Sequence, residues 1–352
     1  MSRSTRLPVR RVYATLAAVS ALVLTAGCSS NAPAAGESEA SAESATSDVE
    51  EAAEDTAAES CTYPVTVTDM AGNEVTVESV DSVVVTDNRM FATIADWGIQ
   101  PTAAPRTLMS PNNPMKDDDS ILDTGSHGEP DFTKVIEADP TVIISGYRYG
   151  DHADALKDAA PGAAFIDTTN NEMTADEYAV ASTQMLGEIF CMQDKATELV
   201  DQFHTSLEET KAAYDPAMTV MGLVTSGNEI RYSNPTDGRG ASIYFSLLGL
   251  TPALDQDGST NHQGDDISLE AIAESNPDFY LVLDRDAAFA GSDGEETTPA
   301  LELINGSASL AATPAVVNQA IYIMPADYYL TEDIYAYMDV LSGLKQAFEA
   351  QK

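Results

Sequence analysis

The ten residues Asn276–Arg285, with the sequence NPDFYLVLDR, decide the fold of this chain of 352 residues. A helix-like run, Ser268–Ser275, leads into Pro277, which lacks an amide hydrogen and therefore ends the helix. The apolar run Phe279–Leu283 then predicts a buried strand. We therefore expect a helix–proline–strand unit that delivers Arg285 at the carboxyl end of the strand.

A second copy of this unit lies earlier in the chain. Residues 131–140 form a helix-like run that is closed by Pro140, and the apolar run Thr141–Ser145 follows. In each copy an arginine lies eight positions after the proline, and in this copy it is Arg148. Strands that alternate with helices favour parallel sheets, and ligands bind outside the carboxyl ends of such strands. We predict an α/β fold of two Rossmann-like lobes with a ligand cleft between them. The alternative is that each arginine is a solvated loop residue.

The amino-terminal segment predicts export and anchoring. Four arginines precede the apolar run Ala14–Leu24, which is typical of a signal peptide spanning residues 1–28. The segment ends in Leu-Thr-Ala-Gly-Cys28, which resembles a bacterial lipobox and implies that Cys28 carries lipid. Residues 29–60 contain no lysine, arginine or aromatic residue and predict a disordered tether. We expect a protein that is lipid-anchored on the extracytoplasmic face of the membrane, in a Gram-positive bacterium.

The rest of the chain is long enough for two lobes with ordinary cores. The region 193–214 is helical in pattern and contains no glycine or proline, which indicates a single long helix. We predict an N-terminal lobe over residues 61–192, a bridging helix over 193–214 and a C-terminal lobe over 215–352.

The chain is strongly acidic. It has 57 acidic residues against 17 lysines and arginines, which gives a net charge of −40, and residues 61–352 alone carry about −35. Nucleic-acid binding is therefore not expected, because it depends on cationic residues that neutralise phosphates. The charge predicts a self-repelling, monomeric protein. An anionic ligand would need local arginines to overcome the repulsion.

Two cysteines remain once Cys28 is assigned to the anchor. Cys61 and Cys191 would lie in a compartment that permits disulfides. If they pair, they close a loop of 130 residues, and the chain-entropy estimate of the stabilisation is about 4–5 kcal/mol.

Motifs of catalysis are absent from the sequence. There is no Gly-x-Gly-x-x-Gly motif, no P-loop and no nucleophile elbow. The four histidines form no His-x-x-x-His pair, so a zinc or manganese site has little support, although scattered carboxylate ligands stay possible. We predict a binding protein rather than an enzyme.

Six residues at predicted strand ends and cleft-facing loops are candidates for ligand binding: Arg148, Arg239, Arg285, His262, Tyr328 and Tyr329. Arginine offers planar donors for clustered anionic oxygens, and phenolate and imidazole are suitable ligands of Fe(III). The alternatives are that either tyrosine packs at a lobe face, that His262 is a solvated loop residue, and that Arg239 serves a turn between two glycines.

The chain resembles the substrate-binding lipoproteins of ABC importers for ferric siderophores, haem and cobalamin. The resemblance covers about residues 63–348 and depends on the lipobox, the Pro-Val-Thr-Val-Thr-Asp hairpin, the paired helix–proline–strand units and the bridging helix. It is most similar to binders of catecholate-type siderophores such as enterobactin fragments and petrobactin. The motifs that carry this similarity are Ile144–Arg148, Ser226–Glu229, the Arg239 loop, Val282–Arg285 and Asp327–Leu330.

The resemblance implies roles for named residues. Arg148, Arg239 and Arg285 would surround the anionic chelate, with Tyr147 and Tyr328 beside them. Tyr147 is inserted ahead of Arg148 relative to the family pattern. Tyr329 and His262 would ligate the Fe(III) of a tetradentate chelate, and His262 falls about one residue from the family's histidine.

The resemblance also implies partners. The chain would have no intrinsic cofactor and would carry an Fe(III)-siderophore to ABC permease subunits and their cytoplasmic ATPase. Glu270 matches the docking acid of the C-terminal lobe. Thr133 occupies the twin position, so nearby Glu129 would serve the N-terminal lobe. Rival readings are a hydroxamate siderophore, haem or cobalamin as cargo, and a surface enzyme or adhesion module without iron.

Overall fold

The computed structural model describes residues 62–289 and 297–352, which belong to one compact unit. The expected signal peptide, the lipidated Cys28, the tether and Cys61 lie outside the described residues. Within the described part, no helix has the length and apolar character needed to span a membrane.

The described chain begins with the predicted hairpin, in which β1 (Val65–Thr68) pairs antiparallel with β2 (Glu74–Val77). A five-stranded parallel sheet follows, in the order β5-β4-β3-β6-β7. Its strands are β3 (Val83–Val85), β4 (Ala103–Ala104), β5 (Leu122–Asp123), β6 (Val142–Ser145) and β7 (Ala164–Asp167). The helices of this first lobe are α1 (Phe91–Asp96), α2 (Phe132–Ala138) and α3 (Ala153–Ala159). Short 3₁₀ turns cover Asn88–Met90, Arg106–Leu108 and Tyr147–His152.

Two helices connect the first sheet to the second. They are α4 (Ala175–Phe190) and α5 (Gln193–Ala213). The chain turns between them at Cys191, which has a positive φ of 53°. Gly187 makes their close packing possible, because a Cβ atom there would lie 2.7 Å from the Cβ of Ala196. The α5 helix is the helix predicted for 193–214, and it packs against both α4 and the closing helix α12 (Ile334–Glu349).

The second lobe contains another five-stranded sheet, in which β10, β8, β11 and β12 are parallel and β9 pairs antiparallel with β8. The strands are β8 (Thr219–Ser226), β9 (Glu229–Ser233), β10 (Thr251–Pro252), β11 (Phe279–Asp284) and β12 (Ile321–Ile323). The helices, apart from α12, are α6 (Ser242–Leu248), α7 (Leu269–Glu274), α8 (Arg285–Ala288), α9 (Ala300–Gly306), α10 (Pro314–Val317) and α11 (Tyr328–Thr331). The predicted fold of two α/β lobes is confirmed.

The first five residues of the β11 strand, Phe279–Leu283, are apolar, and their surroundings explain this. All six of its residues are buried. Phe279, Leu281 and Leu283 belong to the larger core, whereas Tyr280 and Val282 belong to a second core on the other face of the sheet. Because helices cover both faces of a parallel sheet, a central strand has no solvent side and loses the usual alternation of polar residues.

One strand of the second lobe was not predicted from the sequence. It is β9, Glu229–Ser233. Gly227 and Asn228 both have positive φ angles, 62° and 61°, which matches the two-residue turn that favours such hairpins.

Candidate functional site

Three arginines surround the ring of Tyr329. The guanidinium carbons of Arg148, Arg239 and Arg285 lie 5.4, 5.0 and 5.4 Å from the ring centroid. Arg148 comes from the first lobe, and the other two come from the second. The three arginines that the sequence singled out therefore lie close together. We call Arg148, Arg239, Arg285 and the tyrosine between them, Tyr329, the arginine cluster.

Arg148 is positioned by the end of β6. Gly146 follows the strand at a crowded point, because a Cβ atom there would lie 2.2 Å from Oγ1 of Thr168. The chain then enters the 3₁₀ turn Tyr147–His152, which Tyr149 anchors by donating hydrogen bonds to carbonyls of the β5 loop. Arg148 Nη2 donates to the carbonyl oxygen of Tyr329 at 2.9 Å, so this arginine reaches across to the second lobe.

Arg285 is the first residue of α8, directly after β11. Asp284 caps this helix by accepting from the amide of Ala287 at 3.1 Å. Asp286 accepts from the two amides of the β8–β9 turn at 2.9 and 3.0 Å, so it fastens the turn beside Arg285. Among the residues that the structure describes, the guanidinium has one weak hydrogen-bond partner, because Nη1 donates to Oγ of Ser226 at 3.3 Å.

Arg239 stands in the loop between β9 and α6. Its carbonyl oxygen accepts from Oγ of Ser233 at 2.9 Å. Gly240 follows with a φ of 80° and packs against Leu283, which requires glycine. The guanidinium forms an ion pair with Glu332. Burial lowers the pKa of Arg239, but the Glu332 carboxylate more than offsets this effect and the net pKa is raised.

Tyr147 and Glu332 connect the two lobes beside the cluster. The Tyr147 hydroxyl donates to Oε2 of Glu332 at 2.6 Å, the same oxygen that pairs with Arg239. Burial and the Glu332 charge raise the pKa of Tyr147 to about 12. Tyr147 is therefore a neutral donor at physiological pH, and it lies at the arginine cluster as the sequence predicted.

Tyr328 does not join the arginine cluster. Its side chain is 2 % exposed, and its ring packs 6.2 Å from the rings of both Tyr244 and Tyr337. The expectation that Tyr328 contacts the ligand is therefore corrected. Tyr328 packs in the aromatic core. Successive residues of α11 point in different directions, so the ring of Tyr328 faces the core and the ring of Tyr329 faces the arginines.

Tyr329 is the centre of the site. Only 5 % of its surface is exposed, and the ring of Phe289 meets it edge-on at 5.5 Å. The three guanidinium groups lie near the same ring. A cation near an aromatic face is attracted to its π electrons, so the ring helps to hold three like charges together.

His262 lies in the exposed loop between β10 and α7. Burial lowers its pKa, and the charges of Arg285, Arg239 and Arg148 lower it further. The same three arginines thus act on His262, which places it near the cluster. A lowered pKa keeps the imidazole neutral at pH 7, and only the neutral ring can ligate a metal.

Two residues near the cluster were missed by the sequence interpretation. Arg89 pairs with Asp87 at 2.8 Å and lies between the rings of Tyr147 and Tyr178, at 4.2 and 3.9 Å. His127 has its pKa lowered by burial and by the charge of Arg148. The sequence could have indicated Arg89, because it comes shortly after the apolar strand β3, just as Arg148 comes shortly after β6.

The cluster has unused hydrogen-bonding capacity. Among residues 62–289 and 297–352, neither Arg148 nor Arg285 forms a salt bridge. The Nε atoms of Arg148, Arg239 and Arg285 are all buried and have no hydrogen-bond partner in this described part of the chain. The chain has 57 acidic residues, so carboxylates are abundant. Arginines with only a structural role would be expected to pair with some of them.

A resident metal ion has no support in the described part of the chain, where no group of three or more histidine, cysteine or acidic side chains could hold one. Two side chains, Tyr329 and His262, could complete the coordination of an iron ion that arrives already chelated. Iron is therefore considered as cargo, bound through its chelator.

The other predicted residues lie away from the cluster. Glu129 is exposed in the loop before α2, and Glu270 is exposed in the first turn of α7, where it accepts from Ser309 at 3.1 Å. Thr133 is exposed at the start of α2. Cys191 is disulfide-bonded, but Cys61 lies outside the described residues, so their pairing stays a prediction.

Comparison with known proteins gave two curated relatives. The petrobactin-binding protein YclQ of Bacillus subtilis is 27 % identical over 214 residues, 61 % of this chain and 64 % of that protein. The ferric-anguibactin-binding protein FatB of Vibrio anguillarum is 27 % identical over 226 residues, 61 % of this chain and 66 % of that protein. The matches thus span just under two thirds of each relative's length.

Solved structures show the same fold. The crystal structure of YclQ has a TM-score of 0.69 at 23 % identity and covers 82 % of this chain and 99 % of its own. The catecholate-siderophore binding protein VctP of Vibrio cholerae has a TM-score of 0.66 at 24 % identity, with 81 % and 100 % covered. These proteins are named as binding proteins, in agreement with the prediction of a binding role rather than catalysis. The family model described as periplasmic binding protein matches residues 83–328, and the chain belongs to this family.

Proposed function

We propose that this protein captures a ferric siderophore, of the catecholate type, and delivers it to an ABC permease for iron uptake. The observation that carries the proposal is the arginine cluster, in which Arg148 and Arg285 have no carboxylate partner within residues 62–289 and 297–352 although the chain is strongly acidic. A ferric tris-catecholate is a compact trianion with its oxygens on the surface, and planar guanidinium donors suit such oxygens.

The named relatives support this ligand class. One binds petrobactin and the other binds ferric anguibactin by name, and each match covers 61 % of this chain. The cluster draws arginines from both lobes, as a site for a ligand held between them would.

Direct iron ligation by Tyr329 and His262 is part of the proposal. The tyrosine lies among the arginines, and the histidine is kept neutral by their charges. A chelator that leaves two coordination positions open would receive a phenolate oxygen and an imidazole nitrogen there.

The cellular setting is proposed from the sequence. Cys28 would carry the lipid anchor, residues 29–60 would connect it to the lobes, and Glu129 and Glu270 would contact the permease. Both acids are exposed, which such a contact requires.

The experiment is a titration of the purified protein with a panel of ferric chelates, followed by quenching of intrinsic fluorescence. The panel holds tris-, bis- and mono-catecholates, ferrioxamine, ferric citrate and haem. We expect tight, saturable quenching by a catecholate complex and weak quenching by ferric citrate and haem. No binding to any chelate would refute the proposal.

A cationic hydroxamate complex is the second candidate. The net charge of −40 favours a cation at long range, and Glu332 places one carboxylate in the site itself. Ferrioxamine and a ferric catecholate titrated in parallel decide between the two. Preference for ferrioxamine would keep the transport role and reject the role of the arginine cluster.

A further inference from the structure

One hydrogen bond beside the arginine cluster joins the two lobes and involves a carboxylate. The hydroxyl of Tyr147, in the first lobe, donates to Oε2 of Glu332, in the second lobe, at 2.6 Å. The same oxygen accepts from Nη2 of Arg239. Glu332 therefore already holds, at Arg239, the kind of position that an anionic oxygen of a ligand would take.

Both residues of this bond have an unusual backbone conformation. Tyr147 has a φ of 51° and Glu332 has a φ of 45°, in the left-handed region that side chains other than glycine seldom adopt. Such conformations cost free energy and persist where the surrounding contacts hold them, often at functional sites. The two residues are 185 positions apart in the chain. Their contact is therefore imposed by the assembled fold and not by local sequence preference.

Arg89 holds the ring of Tyr147 in place. Its guanidinium carbon lies 4.2 Å from the centroid of this ring and 3.9 Å from the centroid of the Tyr178 ring. Asp87 fixes the guanidinium by accepting from Nη2 at 2.8 Å and from Nε at 3.1 Å. Burial and the Glu332 charge raise the pKa of Tyr147 to about 12, so its hydroxyl keeps the proton that it donates to the carboxylate.

Glu332 changes the charge that the arginine cluster offers to a ligand. Within residues 62–289 and 297–352, Arg239 has a carboxylate partner, whereas Arg148 and Arg285 have none. The side chains of Arg239 and Glu332 are 22 % and 12 % exposed, so the ion pair is not sealed from solvent. An anionic chelate must displace Glu332 from Arg239 or bear its repulsion, and a cationic chelate is attracted by it.

We propose that Tyr147 is a positioning residue that holds the Glu332 carboxylate on Arg239 and thereby sets how strongly the site favours anionic over cationic chelates. This inference rests on the proposed function and refines it, because Tyr147 acts through Glu332 and not by touching the chelate. A hydrogen bond to an ionised group stabilises that group where it lies. Loss of the hydroxyl therefore frees the carboxylate to move away from Arg239 when an anion arrives.

The test is Tyr147→Phe, which keeps the ring that Arg89 covers and removes the hydroxyl. In fluorescence titrations of the purified protein, we expect the Kd of a ferric tris-catecholate to fall about two- to fivefold. This is less than the full worth of a hydrogen bond to a charged group, because the carboxylate stays in the site. The Kd of ferrioxamine should stay within about twofold, since the charge is kept. Unchanged or weaker catecholate binding would overturn the proposal, and a merely structural role would weaken both chelates or neither.

Glu332→Gln provides the background that separates the two possible roles of Tyr147. If Tyr147 acts through the carboxylate, Tyr147→Phe in the Glu332→Gln protein should change the catecholate Kd by less than about 1.5-fold. If Tyr147 instead touches the chelate, its substitution weakens binding in both backgrounds, and the proposal is wrong.

Tyr335→Phe is the matched control. The Tyr335 hydroxyl also donates to a carboxylate of the other lobe, Oδ2 of Asp96, at 2.8 Å. In the described part of the chain Asp96 forms no salt bridge with an arginine. The control should therefore leave both Kd values within about 1.5-fold of the wild type. An equal gain in catecholate affinity in this control would mean that any loosened contact between the lobes has the same effect, and would reject the specific role of Tyr147.

A measurement without ligand distinguishes failure of this inference from failure of the proposed function. Urea unfolding of the wild type, Tyr147→Phe, Glu332→Gln and the double variant gives the coupling between the two side chains. We expect the two substitutions to be non-additive by at least about threefold in the unfolding equilibrium constant. Additive effects would overturn the inference even if chelates bind. Coupling in a protein that binds no chelate would instead refute the proposed function and, with it, the selectivity.

Discussion

Arg285→Gln is the substitution that tests the arginine cluster most directly. In the protein this guanidinium has one neutral partner, Ser226 Oγ at 3.3 Å, and no salt bridge within the described residues. Most of its five N–H donors are therefore available to a ligand. Its removal leaves no buried carboxylate unpaired, so the free energy of unfolding should change by less than about 1 kcal/mol.

The effect on binding should be much larger. A hydrogen bond to a charged group contributes about 1.5–3 kcal/mol, which corresponds to a Kd raised about 10- to 150-fold. We expect this loss for a ferric tris-catecholate, and a smaller loss at high salt because part of the attraction is screened. Fluorescence titration at two ionic strengths measures both, and urea unfolding checks the fold.

Arg231→Gln, in strand β9, is the matched control. Arg231 pairs with Glu229 at 2.6 Å and with Asp266 at 2.6 Å, so its charge is already compensated. Its loss should alter chelate affinity by less than threefold. If Arg285→Gln leaves the Kd unchanged while it folds normally, or if both variants weaken binding alike, local donation by the cluster is refuted.

Three further predictions concern the cluster and its surroundings. Tyr329→Phe removes the phenol and should abolish the protein-dependent shift of the chelate's charge-transfer band; an identical spectrum would exclude Tyr329 as an iron ligand. Glu332→Gln removes the carboxylate beside Arg239 and should strengthen catecholate binding severalfold while it weakens ferrioxamine binding, and parallel titrations check the opposite signs. Asp333 keeps a proton in the folded state up to a pKa of about 7, against 3.8 when unfolded, so stability should fall as pH rises from 4 to 7, by up to about 4 kcal/mol. Urea unfolding at pH 5 and pH 8 should show this loss in the wild type and a flatter profile in Asp333→Asn.

Local signals predicted the residues that follow strands. Arg148 and Arg285 were found because a proline-terminated helix and a buried strand are both short-range patterns, and the end of the strand follows from them. Both lobes and the long helix α5 were predicted for the same reason. The strand β9 was missed because its sequence, Glu-Ile-Arg-Tyr-Ser, is largely polar, although the Gly-Asn pair before it was a hairpin signal.

Contacts between distant residues were beyond the sequence. Glu332 accepts from Tyr147, which is 185 positions away, and no local pattern marks that pairing. The two tyrosines of α11 are a further case, because neighbouring residues of a helix point about 100° apart. Which ring faces the arginines depends on the rotation of one turn of helix, and the lobes on either side determine that rotation.

The α11 segment therefore has a fixed length as well as a fixed sequence. Its four residues supply a core ring and a ring of the arginine cluster, and Glu332 follows directly. Inserting one residue before Tyr328 would rotate the segment by about 100°. That change would move Tyr329 out of the cluster and carry Glu332 away from Arg239. Surface loops commonly tolerate insertions, but natural variation in the number of residues between β12 and α12 should be rare among proteins that share this site.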